Sequence, residues 1–264
     1  MKKIRIAIYV AVGVISFVLK ANATLLFSEA FNYSAGGLGA NVNPGGSTWT
    51  GANAGLSIVS GNLTYPGLAD QGGNELQIAN ATAGTSYATF ANQTSGQVYY
   101  SFLFDPTVVD SANTYFTAMN PGTTVPGGSA DAIDAYYYSS GKIEIRAAAD
   151  SAAAGTGPVL TLGTTYLIVE EIDLDAKTAS LWIDPTPGAA APAATASLSG
   201  ITATAIDNVG FKAQTGTGTF LVDNLLIGTA WSDVTPAAAP EPSTLALLGG
   251  GAALTLFLRR RRQA

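Results

Sequence analysis

The strongest candidates for chemistry are three carboxylates at every second position of the run Glu171-Ile172-Asp173-Leu174-Asp175. Alternate residues of a β-strand share one face, so the three would line one side of a sheet. Two carboxyl groups about 5 Å apart can hydrolyse a glycosidic bond, one as nucleophile and the other as acid/base. The chain has no His and no Cys. Triads with His, thiolate nucleophiles and His- or Cys-ligated metal centres are therefore excluded.

The end of this run also has the composition of a hairpin turn. Leu174-Asp175-Ala176-Lys177 can turn residues 168–173 onto residues 179–183. Asp175 would then lie past the regular face of the strand, which leaves Glu171 and Asp173 as catalytic candidates. The alternative is a solvated hairpin whose Asp residues make the turn. We favour the turn and predict no catalytic residue and no enzymatic activity.

Aromatic side chains are a second kind of candidate, because sugar rings stack on exposed aromatic rings. The candidates are Trp49, Trp231 and the run Tyr136-Tyr137-Tyr138. In a strand, Tyr136 and Tyr138 share one face and Tyr137 takes the other. Trp182 lies between Leu181 and Ile183 and is predicted to be packed. Core packing is the competing explanation for most of these rings.

Short strands must position all of these side chains. Segments of period two, rich in Val, Ile, Thr and Tyr, alternate with Gly, Asn, Asp and Pro, and no segment has a sustained helical period. The predicted strands are Leu56–Val59, Asn62–Tyr65, Glu75–Ala79, Tyr87–Phe90, Gln97–Phe104, Thr114–Met119, Asp131–Tyr138, Lys142–Ala147, Thr165–Asp173, Thr178–Asp184, Asn208–Lys212 and Thr219–Ile227. A second hairpin is predicted at Ser139-Ser140-Gly141, and Pro185–Ala196 is predicted to be a surface loop. Together these elements favour an all-β fold, a single antiparallel β-sandwich over residues 24–235.

The N-terminus has the features of a secretory signal peptide, predicted to span residues 1–23 and to form a helix that precedes the sandwich. Lys2, Lys3 and Arg5 precede an apolar stretch over residues 6–19. This stretch is shorter than the roughly 20 residues that a membrane-spanning helix needs. Small residues at Ala21 and Ala23 predict cleavage before Thr24. An uncleaved N-terminal anchor is the alternative.

The C-terminus, residues 236–264, has the order of a membrane-directed signal. Pro240-Glu241-Pro242 is followed by an apolar run over residues 245–258 and then by Arg259, Arg260, Arg261 and Arg262. An apolar helix of this length spans about 21 Å, which is short of the roughly 30 Å hydrocarbon core. The arginines favour a cytoplasmic end for this hydrophobic helix. The segment is therefore predicted to hold the protein at the inner membrane transiently, with an ordinary membrane anchor as the alternative.

The distribution of charged residues distinguishes the two terminal segments from residues 24–235, which we call the body. The body between them has four basic and seventeen acidic residues and therefore a formal charge of −13, against −6 for the whole chain. Nucleic-acid binding depends on Lys and Arg that neutralise phosphates, so that class of function is excluded. An anionic membrane surface is equally unfavourable as a partner. The charge is compatible with divalent cations.

The C-terminal order resembles the PEP-CTERM sorting signal of exported proteins from Gram-negative bacteria that make exopolysaccharide. The resemblance is carried by Pro240, Glu241, Pro242, the apolar run and the arginine cluster. It implies recognition by an exosortase, a membrane-embedded Cys protease that processes the tail. The expected route is export by the Sec pathway, transient anchoring, and delivery to the cell surface or extracellular matrix.

The body resembles concanavalin A-like (LamG-like) jelly rolls. The resemblance is carried by the opening segment 25–33, the closing segment 220–228 and Leu181-Trp182-Ile183-Asp184-Pro185. It implies two packed antiparallel sheets with adjacent chain ends. The family includes lectins, adhesive modules, glycoside hydrolases and lyases, so the fold does not decide the activity.

Two site predictions follow from this second resemblance. The carboxylate run is similar to the Glu-x-Asp-x-Glu motif of jelly-roll β-glucanases, with Asp175 at the position of the acid/base and Glu171 at that of the nucleophile. Calcium often lies between the first and last strands of the family, which implies Glu29 and Asp223 as ligands, with 6–8 oxygens needed. Calcium is the only cofactor predicted.

These observations favour a non-enzymatic structural, adhesive or carbohydrate-binding protein that acts within or against extracellular polysaccharide. The alternative is a carbohydrate-active enzyme that uses Glu171 and Asp173. A matrix protein without a specific ligand is a third possibility that the sequence leaves open.

Overall fold

A computed structural model describes residues 24–122, 131–147 and 154–239. Within these residues the chain forms sixteen strands and one short helix. The elements are β1 (Leu25–Glu29), β2 (Gly36–Gly37), β3 (Thr50–Gly51), β4 (Leu56–Val59), β5 (Glu75–Ala79), β6 (Gly84–Gln93), β7 (Gln97–Val108), β8 (Thr114–Asn120), β9 (Ile133–Tyr137), β10 (Lys142–Arg146), β11 (Ala154–Val159), β12 (Tyr166–Asp173), β13 (Thr178–Ile183), β14 (Ala196–Ser199), β15 (Ile206–Ala213), β16 (Thr219–Gly228) and α1 (Trp231–Val234).

The strands form two antiparallel sheets. In the described residues, sheet A has the order β14-β13-β12-β7-β16-β5-β4-β2, with β1 also paired to β16, and sheet B has the order β11-β10-β9-β8-β15-β6-β3. The first and last strands, β1 and β16, are therefore neighbours, with Glu29 opposite Leu225. The predicted antiparallel β-sandwich and the adjacent chain ends are confirmed.

The core between the sheets is rich in aromatic rings. The ring of Phe104 on β7 has its centroid 4.7 Å from that of Phe116, 5.7 Å from Tyr137 and 5.6 Å from Phe220. All four rings are fully buried. They come from both sheets, so this cluster joins the two layers of the sandwich.

Both predicted hairpins form. The Ser139-Ser140-Gly141 turn joins β9 to β10, and residues 174–177 join β12 to β13 with Asp173 opposite Thr178. The segment from Pro185 to Thr195 is a mostly exposed loop, and β14 begins at Ala196.

The strand prediction is wrong at Asn62–Tyr65, which has no strand structure. The backbone N–H of Leu63 donates to the side chain of Asp223 at 2.9 Å instead of to a neighbouring strand. The polarity of the segment Asn62–Tyr65 alternates because Leu63 packs on the outer face of sheet A. The sequence prediction also omits the edge strand β11, whose sequence AGTGPV contains Gly and Pro.

A second apolar layer covers the outer face of sheet A. We call it the outer cluster, and it contains Leu63, Leu68, Tyr99, Leu103, Leu167, Val169, Trp182, Leu226 and Val234. The indole N–H of Trp182 donates to Pro192 O, and that of Trp231 donates to Ala189 O. Both tryptophans therefore hold the loop of residues 185–195 against this face.

The C-terminal residues of the described chain also lie against the outer cluster. Leu68 forms an antiparallel bridge with Ala237, and the N–H of Ala238 donates to Gly67 O at 2.8 Å. Ordered contacts with the sandwich therefore extend to within two residues of Pro240.

The predicted terminal helices cannot be compared with the structure. The signal segment 1–23 and the tail from Pro240 onwards lie outside the described residues. Within the described ranges, no helix is long and apolar enough to cross a membrane.

Candidate functional site

The outer face of sheet B combines aromatic and charged side chains. On β9, Ile133, Ala135 and Tyr137 point into the core, which places Asp134 and Tyr136 on the opposite face. The same alternation on β10 buries Ile143 and Ile145 and turns residues 142, 144 and 146 outward. We call the side chains of Tyr115, Tyr136, Tyr138, Arg146 and Lys212 the tyrosine face.

The tyrosine face is held together by ring and cation contacts. The ring centroids of Tyr115 and Tyr136 are 5.4 Å apart, and those of Tyr136 and Tyr138 are 6.3 Å apart. The guanidinium carbon of Arg146 lies 4.5 Å from the Tyr136 ring centre and 5.3 Å from that of Tyr138. The ammonium of Lys212 lies 4.2 Å from the Tyr115 ring centre and donates to the Tyr115 hydroxyl. All five side chains are partly exposed.

A buried carboxyl pair lies beside these rings. The pKa of Asp134 is raised to about 10, chiefly by burial and also by a hydrogen bond with Asp131 and the charges of Asp131 and Glu170, while Lys212 acts in the opposite direction. The raised pKa favours the neutral form of the Asp134 carboxyl near neutral pH. Burial also lowers the pKa of Lys212.

Glu170 lies on the core side of sheet A. It is 1% exposed, and its Oε1 has no hydrogen-bond partner among the described residues. Burial raises the pKa of Glu170 to about 8. Neither this carboxyl nor Asp134 was identified as a candidate from the sequence.

The carboxylates that the sequence suggests for catalysis lie on the other sheet. Glu171 is on the outer face of sheet A, where it contacts Tyr99, and burial raises its pKa. Asp173 Oδ1 accepts the N–H groups of Asp175 and Ala176 at 2.9 and 2.8 Å, so Asp173 makes the turn. Asp175 is exposed and accepts the N–H of Gly96 at 3.0 Å. The regular face of β12 ends before Asp175, as the turn composition predicts.

Glu29 is buried in a dense network of donors. Its carboxylate accepts the N–H of Phe31 at 2.7 Å, the indole N–H of Trp49 at 2.8 Å and the hydroxyl of Tyr33. Burial raises the pKa of Glu29, and these hydrogen bonds act in the opposite direction. Trp49 itself is fully buried.

Asp223 is buried at a separate network on β16. Its two oxygens accept the N–H groups of Leu63 at 2.9 Å and Asn224 at 2.7 Å. The pKa of Asp223 is raised to about 8, chiefly by burial and to a smaller extent by the charges of Glu75 and Asp70, although the two hydrogen bonds lower it. The structure thus gives Glu29 and Asp223 different sets of protein donors.

Calcium binding by Glu29 and Asp223 stays a prediction. Among the described residues, no group of three or more Asp and Glu side chains is arranged to hold a metal ion. A site at these residues would raise the melting temperature in millimolar Ca²⁺, because a ligand that binds only the folded state stabilises it. Calorimetry with Ca²⁺ and with EGTA checks this, and identical melting temperatures would contradict it.

The aromatic candidates divide between core and surface. Trp49 and Tyr137 are fully buried, and Trp182 is 6% exposed in the outer cluster. Trp231 is half-buried, with its ring centroid 5.0 Å from that of Trp182. Tyr136 and Tyr138 share the tyrosine face, so the alternation predicted for this run agrees with the structure.

Sequence reasoning missed Tyr115, Arg146 and Lys212. The polar alternation in Lys142-Ile143-Glu144-Ile145-Arg146 indicates that Arg146 shares a face with Glu144. Nothing local indicates that Lys212 on β15 lies beside Tyr115 on β8, because that contact depends on strand pairing.

Residues 238–262 match the family described as the PEP-CTERM protein-sorting motif. The chain therefore carries this sorting signal, which implies processing by an exosortase and an extracellular, cell-surface destination in Gram-negative bacteria. A comparison of the sequence with curated proteins finds no match.

Comparison with solved structures supports the fold. A sialidase superposes with a TM-score of 0.50 and 11% identity over 81% of this chain, and the chain spans 19% of that protein's length. Lectin II from Ulex europaeus gives a TM-score of 0.46 and 13% identity, with 76% of this chain and 97% of the lectin covered. A sialidase from Trypanosoma rangeli gives 0.41 and 13%, with 66% and 27% covered. At these identities the first similarity shows a shared β-sandwich fold and leaves the activity open.

Proposed function

We propose that this chain is a surface-sorted carbohydrate-binding protein without catalytic activity, and that the tyrosine face binds the sugar. The observation that carries the proposal is the group of half-buried tyrosine rings held in place by Arg146 and Lys212. Rigid, partly exposed rings offer sugar C–H groups a flat apolar surface at low entropic cost. Export by the Sec pathway and transient anchoring at the inner membrane complete the proposed route to extracellular polysaccharide.

The position of the acidic residues supports a binding role over a hydrolytic one. Glu171 and Asp173 lie on the outer face of sheet A, and Asp173 accepts two backbone N–H groups of its own turn. A retaining hydrolase needs two facing carboxyl groups with room for a sugar between them. The tyrosine face belongs to sheet B, so these carboxylates and the rings do not form one site.

A glycan array with the full-length chain in detergent tests the binding proposal. Tyr136→Ala is expected to weaken binding about tenfold, which corresponds to about 1.4 kcal/mol, whereas Tyr136→Phe keeps the ring and should bind normally. Tyr65→Ala, a half-buried tyrosine outside sheet B, is the matched control. Equal binding by the Tyr136→Ala and Tyr65→Ala variants would contradict the assignment of the face.

A polysaccharide hydrolysis screen on the same preparation tests the absence of catalysis. We expect no cleavage of any polymer that the array identifies. Cleavage that Glu171→Gln abolishes would overturn this part of the proposal in favour of the enzyme alternative.

A further inference from the structure

The few cations of the body are concentrated near the tyrosine face. Residues 24–235 contain only Lys142, Arg146, Lys177 and Lys212 as basic residues. Arg146 and Lys212 belong to the tyrosine face, and Lys142 begins the same strand as Arg146 on the same side. A domain with a formal charge of −13 therefore places most of its positive charge around one group of rings.

Arg146 has hydrogen-bonding capacity that its neighbours do not use. Its only ion pair in the described residues is with Glu144, at an N···O distance of 3.6 Å, which exceeds hydrogen-bond length. Glu144 is also engaged by the hydroxyl of Thr156 at 2.9 Å. The Arg146 side chain is 23% exposed and also forms a hydrogen bond with the Tyr136 side chain, while its Nε is buried and has no acceptor among the described residues. An incoming carboxylate would therefore meet the terminal nitrogens of the guanidinium, which can donate two parallel hydrogen bonds to it.

Lys212 supplies a second cation on the other side of the tilted ring pair. Tyr115 and Tyr136 separate it from Arg146, with Lys212 over the first ring and Arg146 over the second. The charges of Asp131 and Asp134 act on Lys212, and the raised pKa of Asp134 favours its neutral form near neutral pH. Asp134 therefore neutralises the lysine less than a free carboxylate would.

We propose that the tyrosine face binds an acidic saccharide, a uronate oligomer whose rings stack on Tyr115 and Tyr136 while its carboxylates bind Arg146 and Lys212. This inference rests on the proposed function and deepens it by naming the class of sugar. Neutral sugars would use the rings alone and offer neither cation a carboxylate. Charge-assisted hydrogen bonds to the carboxylates then discriminate between acidic and neutral polymers.

Calorimetric titration of the full-length chain in detergent tests the proposal with two probes of the same shape. Tetragalacturonate carries the carboxylates, and its methyl ester removes their charge. About 0.15 M salt shortens the screening length to about 8 Å and so suppresses repulsion from distant carboxylates of the body. We expect the acid to bind at least tenfold more tightly than the ester.

Variants that remove one positive charge test whether Arg146 and Lys212 contact the sugar carboxylates. Arg146→Gln and Lys212→Gln should each weaken binding of tetragalacturonate about tenfold more than binding of the ester, because only the acid loses a charge-assisted hydrogen bond. Lys177→Gln removes the same charge from the hairpin of sheet A and should change neither affinity. Thermal melts of all three variants separate loss of folding from loss of binding.

Two results would overturn the inference, and only the second would also overturn the proposed function. Equal affinity for the acid and the ester, with both lost in Tyr136→Ala, would refute the preference for acidic sugars and leave the carbohydrate-binding face intact. Failure of both probes to bind, together with an array that identifies no glycan, would refute the proposed function and this inference with it.

Discussion

At pH 8, Glu170→Gln is expected to make the protein more stable than the native chain by about 4 to 5 kcal/mol, while at pH 5 the difference should be only about 1 kcal/mol. The cause is the position of Glu170, which is 1% exposed between the sheets with Oε1 unpartnered in the described part of the chain. Glutamine has the shape of the protonated acid and cannot ionise.

The direction of the effect follows from proton linkage. Burial raises the pKa of Glu170 in the folded protein to about 8, whereas the unfolded chain ionises near pH 4.3. The folded state therefore holds a proton that the unfolded state has released, and stability falls as the pH rises from about 4.3 to about 8. Asp223, with a pKa of about 8, and Asp134, with a pKa of about 10, act in the same direction. The native protein should be most stable in mild acid.

Urea denaturation followed by tryptophan fluorescence at pH 5, 6.5 and 8 measures this difference. Glu171→Gln is the control, because Glu171 is the next residue on the opposite face of the strand and its carboxylate is stabilised by Tyr99. We expect its pH dependence to stay closer to that of the native chain. A Glu170→Gln variant with an unchanged pH slope would contradict the ionisation argument.

Phe104→Ala is expected to lower the free energy of unfolding by about 4 kcal/mol, within the range for large buried aromatic residues. Phe104 is fully buried and packs against rings from both sheets, with Phe116 4.7 Å and Phe220 5.6 Å away between ring centroids. Removing it leaves a cavity where the two layers meet. For a domain of typical stability, this loss is a large fraction of the total.

The same denaturation experiment checks this second effect. Phe104→Leu fills part of the space and should lose less, while Val108→Ala, at a 45% exposed position of the same strand, should change stability by no more than about 0.5 kcal/mol. If Phe104→Ala lost less than about 1 kcal/mol, the aromatic cluster would not be what couples the sheets.

Local chemistry explains why the strands and hairpins could be predicted. Asp173 closes the turn to β13 through backbone hydrogen bonds within three residues, so its role can be inferred from neighbouring sequence. The failure at Asn62–Tyr65 has the opposite cause. Leu63 bonds to Asp223, which is 160 positions away along the chain, and no local pattern reveals that partner.

The candidate site was only partly predictable for the same reason. Tyr136 and Tyr138 could be assigned to one face from their spacing, but Tyr115 and Lys212 meet through the pairing of β8 with β15. The inward orientation of Glu170 could not be predicted from the sequence for a different reason. The strand that contains it is buried on both faces, so polarity no longer alternates and the inward position of one of two adjacent glutamates is not visible in the sequence.

In the proposed route, the bridge between Leu68 and Ala237 sets how far the sandwich can stand from the lipid bilayer. Residues 239–244 lie between the contact of Ala238 with Gly67 and the apolar run. Six residues reach at most about 21 Å. A body of charge −13 would thus be kept within about three screening lengths of anionic headgroups until the tail is cut. Cleavage would then relieve an electrostatic repulsion as well as sever a tether, so the body would move away from the membrane once it is released.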